Sequence, residues 1–525
     1  MLDQYRQEYA SFNSDLTLEF YLYHSGRKDE FSLRPIYERY SHLFDSDSID
    51  RLTRELKETS PHFESSRTAL NHLLCFAIDC RLEGAAKEIT EAISLHESSA
   101  KMGFRETNLT FQDSAVAVGT EGDPSRRREV YDWRASVISS SNNLRIERLR
   151  RMHEAARKVE VINLNGEVGF ARESGVSGPN GQATARAKSQ YPSYLSLYQD
   201  LYNVDYSALA ENAKSLLIET DAVFETRLRD ALRRDLGIEI ENASRSDAIY
   251  FSHLSRYDDV FSASRLMSVY RTTMEGLGIC PDLQSNIEID AEDRPKKSAR
   301  AFCAPVRIPQ EIHLVYRPYG GQSDYNALLH EAGHAQHYAW TSPSLQPEFK
   351  YTGDPALTET YAFLFNHLSA DEIWLADVLG FDQNREFLIS TLLTRLLTVR
   401  RYAGKLLYEV NLHSGGDLSN ASHLYSEIQT RATKFQTGEE EFLFDVDDSF
   451  YSAAYLRAWA FEAILREHLK RKFGRKWWAE RRAGSLLKEI WETGERYSCD
   501  QVAEQLGIGP VSFDLLISEF QSALK

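Results

Sequence analysis

Asp324-Tyr325-Asn326-Ala327-Leu328-Leu329-His330-Glu331-Ala332-Gly333-His334-Ala335-Gln336-His337-Tyr338 is the stretch around which the rest of the chain is read. On an α-helix His330 and His334 stand one turn apart, roughly 40° from each other around the axis at about 100° per residue, so both imidazoles can meet one metal ion. Zinc suits them, because it accepts neutral imidazole nitrogen, takes a tetrahedral shell and in catalytic sites keeps one position for water. Glu331 follows the first histidine and can reach that water without being a ligand, which is what a general base requires. This spacing is H-E-x-x-H. A lone histidine on a helix is usually structural, but core packing would not by itself produce this set. Gly320-Gly321 closes the preceding segment, Ser323 or Asp324 can N-cap, and the helical pattern runs to Ser342-Pro343, which predicts a helix over 324–341.

A catalytic zinc needs a third protein ligand. Glu359 is the best candidate, as the one acid in the otherwise apolar, helix-like run Pro355 to Phe365, where a buried carboxylate must be paired or metal-bound. Glu348 and Asp354 compete from stretches that read as loop. Hydrolysis also needs donors for an oxyanion. The segment Ser449 to Trp459 offers Tyr451 and Tyr455 one turn apart, with Arg457 close by in sequence.

Upstream, between Asn286 and Pro318, the hydrophobic period changes from helical to alternating. Ile287-Glu288-Ile289-Asp290, Ala301 to Val306 and Ile312-His313-Leu314-Val315-Tyr316 predict a small antiparallel sheet over 286–318, with a basic turn at Arg294 to Lys297. An exposed edge strand beside the metal could hydrogen-bond an extended peptide backbone. His313 reads as a substrate-facing or packing residue rather than a further ligand.

The whole chain, 525 residues with a formal charge of −17, is long enough for a substantial core and argues against nucleic acid as a partner, since no basic surface would compensate phosphate. No window approaches a membrane span, and Met1 to Gln7 lacks the basic and apolar pattern of a signal peptide, so neither a membrane nor export is expected. Five scattered cysteines fit reduced thiols in a cytoplasm, with Cys75 and Cys80 as core residues. Residues 1–190 read as an N-terminal helical region. It ends in the Gly/Ser-rich stretch Gly166 to Gln190, a loop or lid, and residues 191–525 read as the catalytic region. Arg126-Arg127-Arg128 reads as a solvated helix face, and the amphipathic helix from Tyr206 is expected to stop at Gly237.

Lys296 to Cys303, the strand Ile312 to Tyr316 and then His330 to His334 resemble, in order and spacing, the block before and through the zinc helix of the metallo-oligopeptidases, the gluzincin family that includes thimet oligopeptidase, neurolysin and oligoendopeptidase F. Ser449-Phe450-Tyr451 through Tyr455 to Trp459 is similar to that family's His-Phe-Tyr and Phe-Tyr-x-Tyr segment, and Phe473 to Leu524 to its closing helices. The resemblance implies a mainly α, two-lobed helical peptidase with a deep central channel and a small antiparallel sheet beside the zinc helix. It implies one zinc ion held by His330, His334 and Glu359, with Glu331 activating water and Tyr451, Tyr455 and Arg457 around the oxyanion. Ala301, Phe302, His313 and Tyr316 would be contacts for short unfolded peptide substrates. Two positions depart from the pattern: Ser449 stands where the family has histidine, and Arg457 where it has the second tyrosine of Tyr-x-Tyr. These departures keep open a catalytically impaired member that binds zinc and captures a peptide or protein partner. A helical scaffold without metal would require the three ligands to be coincidental.

Overall fold

The computed structural model describes residues 2–160, 190–415 and 417–525. The stretch read as a loop or lid, Gly166 to Gln190, lies outside the described residues except for Gln190 itself. Among the described residues the architecture is mainly α, with 21 α-helices against five short strands. No helix among them is long and apolar enough to cross a membrane.

The chain divides into two compact units. One comprises Met1–Leu74, His253–Leu396 and Ala454–Lys525, the other Cys75–Ser252 and Leu397–Ala453. Each unit draws on chain from both sides of residue 190, where the sequence reading had placed its division. The second unit contains a hairpin of β1 (Lys101–Phe104) and β2 (Thr107–Thr110) and the long helix Tyr206–Asp235. That helix ends where Gly237 takes φ +66°, a conformation glycine adopts without steric cost. Arg127 corrects the reading of a solvated arginine run. It is 2% exposed, because it donates to the Glu121 carbonyl, pairs with Asp247 at 2.7 Å and lies over the Tyr250 ring. Cys75 and Cys80 are buried thiols, as their apolar surroundings in sequence suggest.

The first unit holds the sheet. Its strands β3 (Ile287–Asp290), β4 (Phe302–Arg307) and β5 (Glu311–Val315) stand in the order β3-β5-β4. The β4–β5 pair is antiparallel, but β3 runs parallel to β5, so the sheet is mixed rather than purely antiparallel. The reason lies in the link between β3 and β4. Lys297 turns inward, and its ammonium donates to the Asp290 carbonyl at 2.8 Å and to its carboxylate at 2.9 Å, with Arg294 on the other carboxylate oxygen. That clamp folds the basic turn back at the end of β3 and carries the chain past the slot that β5 then fills.

One face of the sheet packs on the N-terminal helix Leu2–His24, where Tyr21 and Leu22 meet Phe302, Ala304 and Val315. On the opposite face Cys303, Ile308 and Ile312 pack against Ala335 and Tyr338 of the helix Gln322–Trp340. The period-two alternation of β4 thus sends Phe302 and Ala304 one way and Cys303 the other.

Candidate metal centre

The H-E-x-x-H helix spans Gln322–Trp340. Its N-cap is Gly321 at φ +89°, not Ser323 or Asp324. The capping role goes to Asp258, whose carboxylate accepts the Gln322 N–H at 3.2 Å, while Asp324 reaches back to the N–H groups of Tyr319 and Gly320, both at 2.8 Å. A Cβ on Gly321 would stand 2.8 Å from the Asp258 carboxylate oxygen, so the close approach excludes a side chain there.

Glu359 lies on the helix Pro355–Asn366, which begins with proline in its first turn and is capped by Asp354, whose side chain accepts from the Ala356 N–H at 3.1 Å. Its residues from Ala356 to Phe365 are all buried, which explains an apolar run with no polar face. The two helices meet at Gly333. A Cβ built there would lie 2.5 Å from the Tyr361 carbonyl oxygen and 2.6 Å from the Ala362 Cα. Glycine inside a helix costs about 1 kcal/mol relative to alanine. Here it lets the second backbone come close enough to bring its carboxylate between the histidines.

The result is a convergent set. Glu359 Oε2 is 3.3 Å from His330 Nε2 and 3.8 Å from His334 Nε2, and ligand atoms of the three residues all lie within 4.8 Å of one another. In a tetrahedral shell with bonds of about 2.0–2.1 Å, neighbouring ligand atoms stand roughly 3.3 Å apart, so this spacing and this donor chemistry fit zinc. Burial disfavours the charged form of His330, but the hydrogen bond and charge of Glu359 outweigh it and hold its pKa above the ordinary value. Burial pulls His334 down to about 4, with Glu359 opposing, so its imidazole is neutral and able to bind a metal.

Glu331 sits between this helix and the sheet, where its Oε2 accepts the Cys303 N–H at 2.9 Å. Burial pushes its carboxyl up to about 7, against the lowering effects of His330 and of the Cys303 N–H. A carboxylate tuned to that range suits proton transfer near neutrality. Because Cys303 spends its N–H on Glu331, its backbone faces outward from β5, and β4 is one of the two edge strands of the sheet. The sequence reads Ala301 and Phe302 as substrate contacts. Both are half-buried, but the Phe302 side chain packs on Phe20, with ring centroids 5.4 Å apart. Cys303 was missed, although Pro305 carried the signal: a proline in a strand must turn its missing donor away from the neighbour, which sets 303 and 301 outward too.

The structure buries His313 and Tyr316 instead of presenting them to substrate. His313 is 4% exposed on the far side of the sheet, stacked on Tyr21 at 3.8 Å between centroids and flanked by Glu311 and Glu288, so it is a packing residue rather than a substrate contact. Tyr316 is likewise buried, its hydroxyl against the Met267 sulfur at 3.4 Å. His313→Gln is therefore expected to lower the melting temperature by a few degrees, since an aromatic stack contributes about 1 kcal/mol, and to leave kcat/KM within about twofold. A larger loss of kcat/KM in steady-state assays would return His313 to the site.

Tyr451 and Tyr455 are half-buried, one turn apart on the helix Tyr451–Phe473. The Tyr455 ring lies 5.6 Å from Phe363, which in turn lies 5.2 Å from His330. Ser449 adopts φ +58°. Its N–H bonds the Tyr194 hydroxyl at 3.2 Å and its own hydroxyl the Tyr198 hydroxyl at 3.1 Å. Arg457 is not an unengaged oxyanion donor. Its two terminal nitrogens each donate to Asp354 at 2.8 Å, and one of them also to Asp500 at 2.6 Å. Asp354, Cys499 and Asp500 are near enough to one another to suggest a second metal site, but the Arg457 guanidinium is the cation that serves them.

Beside this pair Glu495 is fully buried, and burial together with the Asp354 charge pushes its carboxyl up to about 8 from an ordinary 4.5. Between those values the folded state keeps a proton that the unfolded state loses, so stability falls as pH rises, by about 1.4 kcal/mol per pH unit across that window. Urea unfolding at pH 5, 6.5 and 8 is expected to show this decline in the wild type and a flatter profile in Glu495→Gln; parallel profiles would contradict it.

No family model matches the chain, and no curated protein matches it in sequence. Among solved structures it is similar to one described as oligoendopeptidase F from Bacillus anthracis str. Ames, at 14% identity and a TM-score of 0.63 over 98% of this chain and 89% of that one. It is also similar to PZ peptidase A in complex with an inhibitor, at 13% identity and a TM-score of 0.64 over 98% and 90%. At such identities the likeness is one of fold, and the fold of this chain, along nearly its whole length, is that of the oligoendopeptidase F and PZ peptidase structures.

Proposed function

We propose that the protein is a zinc-dependent metallopeptidase that hydrolyses peptide bonds in short, unfolded oligopeptides. The observation that carries this reading is the convergence of His330, His334 and Glu359 beside a base, Glu331, that is itself anchored to an edge strand of the sheet. The peptidase fold of the two similar structures supports the reaction class. Zinc, held by His330 Nε2, His334 Nε2 and the Glu359 carboxylate, would supply Lewis-acid chemistry, lowering the pKa of water and polarising a carbonyl.

The chain's own groups do the rest. Glu331 takes the proton of the attacking water on one carboxylate oxygen while the Cys303 N–H fixes the other, then returns it to the leaving amine. Tyr455, whose ring packs on the Phe363 that also meets His330, is the hydroxyl donor proposed for the oxyanion. An extended substrate pairs its backbone with the outward-facing groups of Ala301 and with the Cys303 carbonyl, the Cys303 N–H being held by Glu331, so affinity comes from main-chain hydrogen bonds. The test is hydrolysis of a quenched fluorescent peptide library with zinc content measured on the same protein. Cleavage that 1,10-phenanthroline abolishes and added zinc restores is expected. Cleavage indifferent to the chelator, or protein without zinc, would refute the assignment. Bound zinc without cleavage would favour a protein that captures peptides.

A further inference from the structure

We propose that Arg457 is a positioning residue for the third metal ligand: through Asp354 it ties the start of the Glu359 helix to the Tyr451 helix, and so sets where Glu359 stands relative to His330 and His334. The inference rests on the zinc reading above. Its starting point is that a guanidinium occupies the place where the family resemblance expects a tyrosine, and that its hydrogen bonds run to the cap of another helix.

Asp354 is the meeting point. One carboxylate oxygen takes Arg457 at 2.8 Å and the Ala356 N–H at 3.1 Å; the other takes Arg457 at 2.8 Å and the Cys499 N–H at 3.0 Å. The Arg457 fork continues to Asp500 at 2.6 Å and to the Cys499 sulfur at 3.1 Å. Three segments therefore converge on one ion pair: the first turn of Pro355–Asn366, the Tyr451–Phe473 helix and the start of Cys499–Gln505. Glu359 is five residues beyond the cap, about 7.5 Å along a stiff helix, so a displacement of the cap is carried to the ligand. Metal ligands must be held to within roughly 0.5 Å, and groups that orient them matter at the level of 10–100-fold in affinity. A planar fork that grips both oxygens of one carboxylate gives such a hold; a lysine ammonium does not.

The experiment uses the full-length zinc protein. Arg457→Lys keeps the charge but not the fork. Arg457→Gln combined with Asp354→Asn removes both charges, so that no unpaired ion is left buried. A control removes a comparably buried ion pair elsewhere in the same unit, Arg6→Gln with Glu348→Gln, whose native contact is 2.7 Å. Zinc dissociation constants from chelator competition, near-UV circular dichroism, and kcat and KM at saturating zinc are read for each. Arg457→Lys is expected to weaken zinc about tenfold and the neutral pair about 10–100-fold, with KM within about twofold, whereas the control lowers the melting temperature but leaves zinc affinity unchanged. Unchanged zinc affinity in both Arg457 variants overturns the proposal. So does loss of kcat in Arg457→Lys at wild-type zinc affinity, which would make Arg457 an oxyanion donor instead. A wild type that binds no zinc overturns the peptidase reading and this one with it, and is distinguished by failing before any variant is made.

Discussion

Glu331→Gln is expected to lower kcat by about 10³-fold, within the 10²–10⁴ that a general base contributes, and to leave zinc bound. The replacement is a clean one. The amide oxygen of glutamine can still accept the Cys303 N–H that Glu331 Oε2 accepts at 2.9 Å, so the anchor between helix and sheet survives. What is lost is the ability to take a proton. A thousandfold loss corresponds to about 4 kcal/mol of transition-state stabilisation, with KM little changed because no substrate contact is removed. Measuring kcat, KM and zinc content on the same preparations checks it. Loss of zinc in the variant would mean that Glu331 holds the site together rather than acting as the base.

The second large effect is expected from Gly333→Ala. A methyl group there would stand 2.5 Å from the Tyr361 carbonyl and 2.6 Å from the Ala362 Cα, both backbone atoms that no rotamer change can move aside. Alanine is the better helix former, so propensity alone predicts a gain of about 1 kcal/mol. The clash reverses the sign, since overpacking a tight contact costs about 1–3 kcal/mol. The helix carrying Glu359 must then shift away from the histidines by a few tenths of an ångström or more. Thermal unfolding should show a lower melting temperature and chelator competition a weaker hold on zinc, by about tenfold or more. A variant more stable than wild type with undiminished zinc affinity would show that the helices do not need this contact.

Local pattern carried a good part of this. The i, i+4 histidines, the lone acid in the apolar run to Phe365 and the positions of the three strands all follow from spacings within a few residues, which backbone geometry makes legible. What the sequence reading missed depends on partners far along the chain. By sequence Asp354 reads as a competing ligand and Arg457 as an oxyanion donor, yet they are partners across 103 residues. His313 was assigned by its strand alone, whereas the face it occupies is decided by Tyr21 on the N-terminal helix. The parallel run of β3 beside β5 likewise goes with a contact between separate positions, the Asp290–Lys297 clamp, which strand propensity does not reveal. Gly333 lies inside the H-E-x-x-H motif, but its use is visible only when the second helix is in place.

Pro305 has one more consequence. An open strand edge is a template on which extended chains can add and keep adding, which is how sheets grow into fibrils. If extended peptides bind along this edge, as we propose, each encounter would take place beside that hazard. On β4 the outward-facing donor of Cys303 is already given to Glu331, the next outward position is a proline, and the strand's register breaks between Pro305 and Arg307. A peptide can lie against the first residues of this edge, but the ladder cannot lengthen past Pro305. Under the proposed reading, this edge would hold a guest briefly without nucleating assembly.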